Sequence, residues 1–361
     1  MIIYLITFFI SFICMKIAWK QKNNTTLFYI CSCMVIIVPS LLAGYRDTTV
    51  GHDIEVYMVP LFESLNTEEN LAAFIIVSEL ESAFIIYNYL IRLFTDDIFW
   101  AFFVQQILVL SAVYYTCYRL RDKIDAPLYF LIYLLTMYCE SMTMARQIFA
   151  ISAIIFAYPF IMQRQWKYFV VVVVLAYFMH HSALLALPLY PFVVYFGKKN
   201  TQISIVNLFM VIVAGLILYM YFPSIVNVLI EYGILPVKYT KYTDQEFNTH
   251  KITVLITILC FFTSYFAKKN NIRQEIQVLA IIVFFMLLCG KYNDVAQRIA
   301  QYYEYYLFIR VLMVFESLYA NNKKIAKTVT VFLLLSFFIF SATKYGFAEA
   351  IPYTSKSLNI R

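Results

Sequence analysis

Polar positions are sparse in this chain, and they come in bursts between long apolar runs. Stretches such as CSCMVIIVPSLLA (31–43) and FVVVVVLAYF (169–178) carry no charge and do not alternate polar with apolar residues. Each therefore predicts a buried or membrane-crossing helix, not a barrel strand. The pattern predicts about twelve such helices, with cores near 2–19, 26–44, 98–118, 127–142, 146–162, 168–181, 183–197, 203–222, 252–267, 276–290, 303–320 and 328–345. A further apolar stretch, 71–94, is interrupted by Glu79, Glu81 and Arg92. A full span there would force acids into hydrocarbon, so this segment is expected to lie at the interface or dip partly into the membrane. The expected fold is all-α: a polytopic integral membrane protein of about 12 transmembrane helices with an extracytoplasmic interfacial helix, compatible with a GT-C-like architecture. It is expected to form a single transmembrane domain over 1–361, with extracytoplasmic loops near 45–97 and 223–251.

Composition agrees with this reading. Hydrophobic residues are 63% and charged residues 14%, against about 45–50% and about 25% in a soluble domain. The first run, MIIYLITFFISFICMKIAW, has neither a basic leader nor a small-residue cleavage site and is expected to be a retained span. The seven cysteines lie in or beside apolar runs and form no C-x-x-C pair, so they read as small buried hydrophobes.

Charge sets the expected orientation. Alternate connections, those near Lys20, Arg121, Arg164, Lys198, Lys268 and Lys324, hold 16 of the 28 Lys and Arg but only 4 of the 21 Asp and Glu. The positive-inside rule puts these basic turns in the cytoplasm and both termini outside. They leave no room for a nucleotide-binding domain, and there is no G-x-x-x-x-G-K-[ST] loop. Any chemistry is then expected outside, on substrates activated beforehand and delivered on a lipid.

Four clusters fall on that outer side: GYRDTTVGHDIEVY (44–57), MARQIFA (144–150), YFMHHSALLALP (177–188) and KYNDVAQRIAQYYEYY (291–306). Each also has a structural reading. Arg46, Arg146 and Arg298 can anchor helix ends by snorkelling, and Asp47 and Asp53 can cap turns. His180 and His181 can make structural hydrogen bonds, and the tyrosines at 302, 303, 305 and 306 can form an interfacial belt. The functional reading rests on the guanidinium, a permanently charged fork that matches phosphate oxygens. Arg46, Arg146 and Arg298 at different span ends can converge on one pyrophosphate, with acids or histidines to deprotonate a sugar hydroxyl and tyrosines to stack on sugar. There is no H-E-x-x-H and no D-x-D triplet, and no metal or other cofactor is expected.

Two blocks carry a family resemblance. YRDTTVGHDIEVY (45–57) resembles the arginine, V-G-x-D, tyrosine pattern of the EpsG-like family of Wzy-type polysaccharide polymerases. RQIFAISAIIFA (146–157) followed by HHSAL (180–184) resembles that family's R-Q-x-x-A helix and H-x-S-A turn. The matched positions are Arg46, Gly51, Asp53, Tyr57, Arg146, Gln147, His180 and Ser182. The chain departs at His52, where a small polar residue would be expected.

The resemblance implies a glycosyltransferase of the bacterial cytoplasmic membrane. Such a protein joins undecaprenyl-pyrophosphate-linked oligosaccharide repeat units at the outer face into O-antigen, capsule or exopolysaccharide. Arg46, Arg146, Gln147, Arg298, Tyr57 and Tyr302 are then the candidates for binding pyrophosphate and sugar. His180, Asp53, Glu81 and Glu79 are the candidates for activating the acceptor. The implied partners are the lipid-linked units, membrane lipids, a chain-length regulator and a flippase, with no nucleic acid. The competing readings are an O-antigen ligase, a flippase or secondary transporter, and a membrane acyltransferase.

Overall fold

The computed structural model describes residues 1–21, 24–65, 70–197, 204–232, 251–291 and 294–360. Among them the regular secondary structure is helical, apart from an isolated bridge between Ser355 and Ile360. The α-helices are α1 (Ile2–Lys20), α2 (Thr25–Gly44), α3 (Val59–Ser64), α4 (Leu71–Val77), α5 (Ser82–Arg92), α6 (Phe99–Arg119), α7 (Ala126–Thr136), α8 (Tyr138–Thr143), α9 (Gln147–Met162), α10 (Trp166–Met179), α11 (Leu189–Phe196), α12 (Ile205–Glu231), α13 (Lys251–Thr263), α14 (Asn270–Cys289), α15 (Asp294–Glu316) and α16 (Ala320–Glu349).

Among the described residues, six helical segments are long and apolar enough to cross a membrane: Ile2–Lys20, Thr25–Gly44, Phe99–Arg119, Val206–Val228, Asn270–Cys289 and Ala320–Glu349. At 1.5 Å per residue each approaches or exceeds about 30 Å, the thickness of the hydrocarbon layer. Large apolar side chains lie exposed on them, including Ile6 and Phe9 on α1 and Phe209, Met210 and Met220 on α12, as a lipid-facing surface requires. The chain reads as an integral membrane protein with several candidate spans.

Other expected spans are shorter or interrupted. The 127–142 segment breaks at Met137 into α7 and α8, and 183–197 is a 3₁₀ turn (His181–Ala186) followed by the eight-residue α11. The outer connection expected over 223–251 is partly helix, because α12 continues past Pro223 to Glu231; residues 233–250 lie outside the described ones.

The ambiguous 71–94 stretch is two helices, not one. Asn70 caps α4 by accepting from the Ala73 N–H at 3.1 Å. Ser78 then turns the chain by accepting from the Leu80 N–H at 3.1 Å. The Glu81 carbonyl receives the Phe84 and Ile85 N–H groups to start α5. The polar residues that make a span costly thus end one helix and begin the next.

The fold divides into two compact units. The first comprises Met1–Phe160, Lys167–Leu184 and Lys324–Arg361, and the second Ile161–Trp166 and Leu185–Lys323. In the first, α1 packs on α2 and α7, α2 on α6, and α5 on α3 and α6. Ile54, Met58, Phe62, Phe84, Ile85, Tyr87, Phe102 and Phe149 belong to one buried apolar cluster in this unit. Each such aliphatic or phenyl group contributes about 1.5–3 kcal/mol when withdrawn from water. Its C-terminal residues run back to the first two helices. Tyr4 donates to the Ala350 carbonyl at 2.6 Å and Tyr353 to that of Leu42 at 2.8 Å. Asp47 is tied into this segment twice, donating its N–H to Thr354 at 3.0 Å and accepting from the Lys356 N–H at 2.9 Å.

In the second unit, α14 packs against α11, α12, α13 and α15. Glu275 of α14 pairs with Arg310 of α15 and accepts from the Tyr306 hydroxyl at 3.0 Å. The tyrosines at 302, 303, 305 and 306 are all buried, which corrects their reading as an interfacial belt. They pack inside the protein because α15 presents them to neighbouring helices, and Tyr303 donates to the Leu185 carbonyl.

Candidate active site

Three segments far apart in sequence meet in the first unit, and Glu81 joins two of them. The first, after α2, carries Gly51 with φ of +101°, a left-handed backbone that favours glycine. A Cβ there would stand 2.8 Å from the Met142 carbonyl oxygen and 2.9 Å from the Thr143 Cα. The missing side chain is what lets this loop lie against the end of α8. A π-helical turn, Ile54–Met58, follows and carries Tyr57.

The second segment is the connection from α8 to α9. Gln105 of α6 donates to the Met144 and Ala145 carbonyls at 3.3 and 3.0 Å. Gln106 donates to the Ser141 hydroxyl at 3.0 Å. These bonds fix the backbone just ahead of Arg146, whose guanidinium lies 4.5 Å over the Tyr57 ring, a cation–π contact.

The third is the end of α10. The His180 N–H still bonds to the Ala176 carbonyl, while the His180 carbonyl already receives the Ala183 N–H of the 3₁₀ turn. That change of winding sends adjacent side chains apart. His181 is exposed and lies against the Tyr177 ring at 4.7 Å, whereas His180 turns to Glu81.

Glu81 holds both Arg146 and His180. Its Oε2 sits 2.6 Å from Arg146 Nη1 and its Oε1 2.7 Å from His180 Nδ1. Burial alone would raise this carboxyl. The His180 hydrogen bond and the Arg146 charge outweigh it and hold the carboxyl down at about 2. The carboxylate is the deepest of the three: its side chain is 4% exposed, against 17% for Arg146 and 22% for His180.

Arg46 is a different case. It is buried, with its guanidinium 4.3 Å over the Phe102 ring. The groups acting on its charge are Tyr138, Tyr4, Tyr353 and Tyr87, and burial lowers it to about 10, so it stays charged at neutral pH. Those phenols are themselves engaged: Tyr4, Tyr87, Tyr138 and Tyr353 donate to the carbonyls of Ala350, Ala101, Pro39 and Leu42. The Arg46 Nε and Nη2 groups have no hydrogen-bond partner among the described residues. Arg46 and Arg146 nonetheless border one structure, since Phe102 belongs to the apolar cluster and Tyr57 packs against it.

The other candidates are placed as follows. Asp53 is half-buried just before the π-helical turn, Glu79 is exposed in the α4–α5 break, and Gln147 is buried in the first turn of α9. Arg298 and Tyr302 lie on α15, in the second unit.

A family model matches residues 29–355. The chain belongs to the EpsG family. The EpsG match takes in Arg46, Tyr57, Glu81, Arg146 and His180, as well as Arg298 and Tyr302, and the family is linked to exopolysaccharide biosynthesis. Searches of curated proteins and of solved structures found no match. The EpsG chain also places beside these candidates residues that sequence reasoning missed: Phe102 under Arg46, the tyrosines around it, and Gln105 behind Arg146. Only Gln105 and Gln106 left a signal, as adjacent amides inside an apolar span.

Proposed function

We propose that this protein is a polysaccharide polymerase. It joins undecaprenyl-pyrophosphate-linked repeat units at the outer face of the bacterial cytoplasmic membrane, within a bundle of about twelve spans oriented by its basic turns. Arg46 and Arg146 bind the donor pyrophosphate and stabilise the charge that grows on it as the glycosidic bond breaks. Tyr57 and Gln147 line the same region. His180 accepts the proton of the acceptor hydroxyl. Diphosphate is a good leaving group, so the proposed transfer runs without a metal.

The observation that carries this reading is the meeting of Arg146 and His180 on one buried carboxylate, with Tyr57 against the guanidinium, in an EpsG chain. Arg46 adds support. A buried cation set over the Phe102 ring and among phenols is costly, by several kcal/mol before compensation, and an anionic ligand is its natural complement. Deleting the gene tests the proposal. Loss of the surface-glycan ladder with a single repeat unit persisting is the expected result. An unchanged ladder refutes it, and long chains retained on the lipid carrier would indicate a ligase instead.

A further inference from the structure

We infer that Glu81 is a positioning residue: it fixes His180 with its proton on Nδ1, so that Nε2 is the atom presented to the acceptor, and it holds Arg146 at the same time. The inference rests on the polymerase reading for its chemistry, though not for its geometry. An ionised carboxylate can only accept hydrogen bonds. With Oε1 at 2.7 Å from Nδ1, the imidazole must donate there. The neutral ring is then left with its lone pair on Nε2, in a side chain that is itself more exposed than Glu81.

The order of burial fits this division of labour. The carboxylate lies behind, with the imidazole and the guanidinium in front of it, and its two oxygens are used one on each. The charges facing the pair come from three elements: Glu81 from the start of α5, Arg146 from the start of α9, and His180 from the end of α10; Tyr57 covers the guanidinium.

In the transfer step, the acceptor oxygen forms its bond to the anomeric carbon of the donor. The bond from that carbon to the diphosphate oxygen breaks, and the electron pair leaves with the diphosphate. The acceptor proton passes to His180 Nε2, and the resulting imidazolium is paired with Glu81. Arg146, set by the other carboxylate oxygen, meets the departing diphosphate. One carboxylate thereby keeps base and anion binder in register.

The test is spectroscopic, on the full-length protein labelled with ¹⁵N-histidine and held in nanodiscs. The chain has 4 histidines, and His180→Gln identifies the signal. Spectra are taken at a pH of about 9, where an ordinary imidazole (pKa about 6.5) is neutral. The expected result is a single His180 tautomer protonated on Nδ1, lost in Glu81→Ala and kept in Glu81→Asp. An Nε2-protonated ring in the unmodified protein, or a tautomer unchanged in Glu81→Ala, overturns the inference. Turnover is measured on lipid-linked units extracted from a strain deleted for this gene. Glu81→Ala is expected to lower kcat by on the order of 10²–10⁴-fold, with Glu81→Asp recovering part of it. The expected tautomer in a protein that polymerises nothing supports the positioning assignment and overturns the polymerase reading alone.

Discussion

A double-mutant cycle on Arg146 and Glu81 probes the geometry most directly. Their charged atoms are 2.6 Å apart, and the Glu81 side chain is 4% exposed. At an effective dielectric of about 20, unit charges 4 Å apart attract by about 4 kcal/mol. Desolvation and the 17% exposure of Arg146 reduce this, leaving a coupling of about 2 kcal/mol, inside the range for contacting residues. Arg146→Ala alone should destabilise by about 3 kcal/mol, because it leaves a buried carboxylate with only His180. Glu81→Gln should cost a similar amount, and the double variant little more than either. Reversible unfolding by SDS in mixed micelles measures all four proteins.

The pH dependence of this cycle has a definite sign. Glu81 is held at about 2 against an ordinary 4.5, so its contribution is complete above the unfolded value and fades as pH falls through the folded one. The shift corresponds to about 3 kcal/mol. Relative to Glu81→Gln, the unmodified protein should lose about 1 kcal/mol of its advantage by pH of about 4, and the remainder only near pH of about 2. Additive single effects, within about 0.5 kcal/mol, or an advantage already gone at pH of about 4, would refute the shared-carboxylate geometry.

Other substitutions separate packing from chemistry. Gly51→Ala puts a Cβ into α8 backbone at a φ of +101°. It should lower stability by about 1–3 kcal/mol, read as a lower melting temperature in detergent. Arg46→Met removes an unpaired buried charge, so melting should be unchanged or higher while glycan polymerisation falls by roughly 100-fold or more; a large loss of stability would contradict the reading of its environment. Asp47→Ala removes the acceptor of the Lys356 N–H. It should cost about 1 kcal/mol, visible in thermal unfolding, and leave the surface-glycan ladder intact. Gln105→Leu frees the carbonyls of Met144 and Ala145 and should reduce polymerisation far more than Gln106→Leu, as judged by ladder length.

The three arginines expected on the outer side show how far local reading reaches. In sequence, Arg46, Arg146 and Arg298 look alike, each a guanidinium near the end of an apolar run. Helix length and apolar run were enough to find α1, α2, α6, α12, α14 and α16, because a span of about 20 residues is decided by its own composition. The environment of a charge is decided by partners that local pattern does not reach. Glu81 stands 65 residues from Arg146 and 99 from His180, and the phenols around Arg46 range along the chain from Tyr4 to Tyr353. One local clue did anticipate the assembly. The 71–94 stretch was too apolar for a loop and too acidic for a span, and that conflict holds only if something pairs the acid. Glu79 resolves it by exposure, at a break in the helix; Glu81 resolves it by burial between a guanidinium and an imidazole. Two acids separated by one residue thus part ways. The residue with the greater desolvation penalty is the one whose partners the fold must supply, and it lies where those partners, Arg146 and His180, are the two groups that the proposed transfer needs held together.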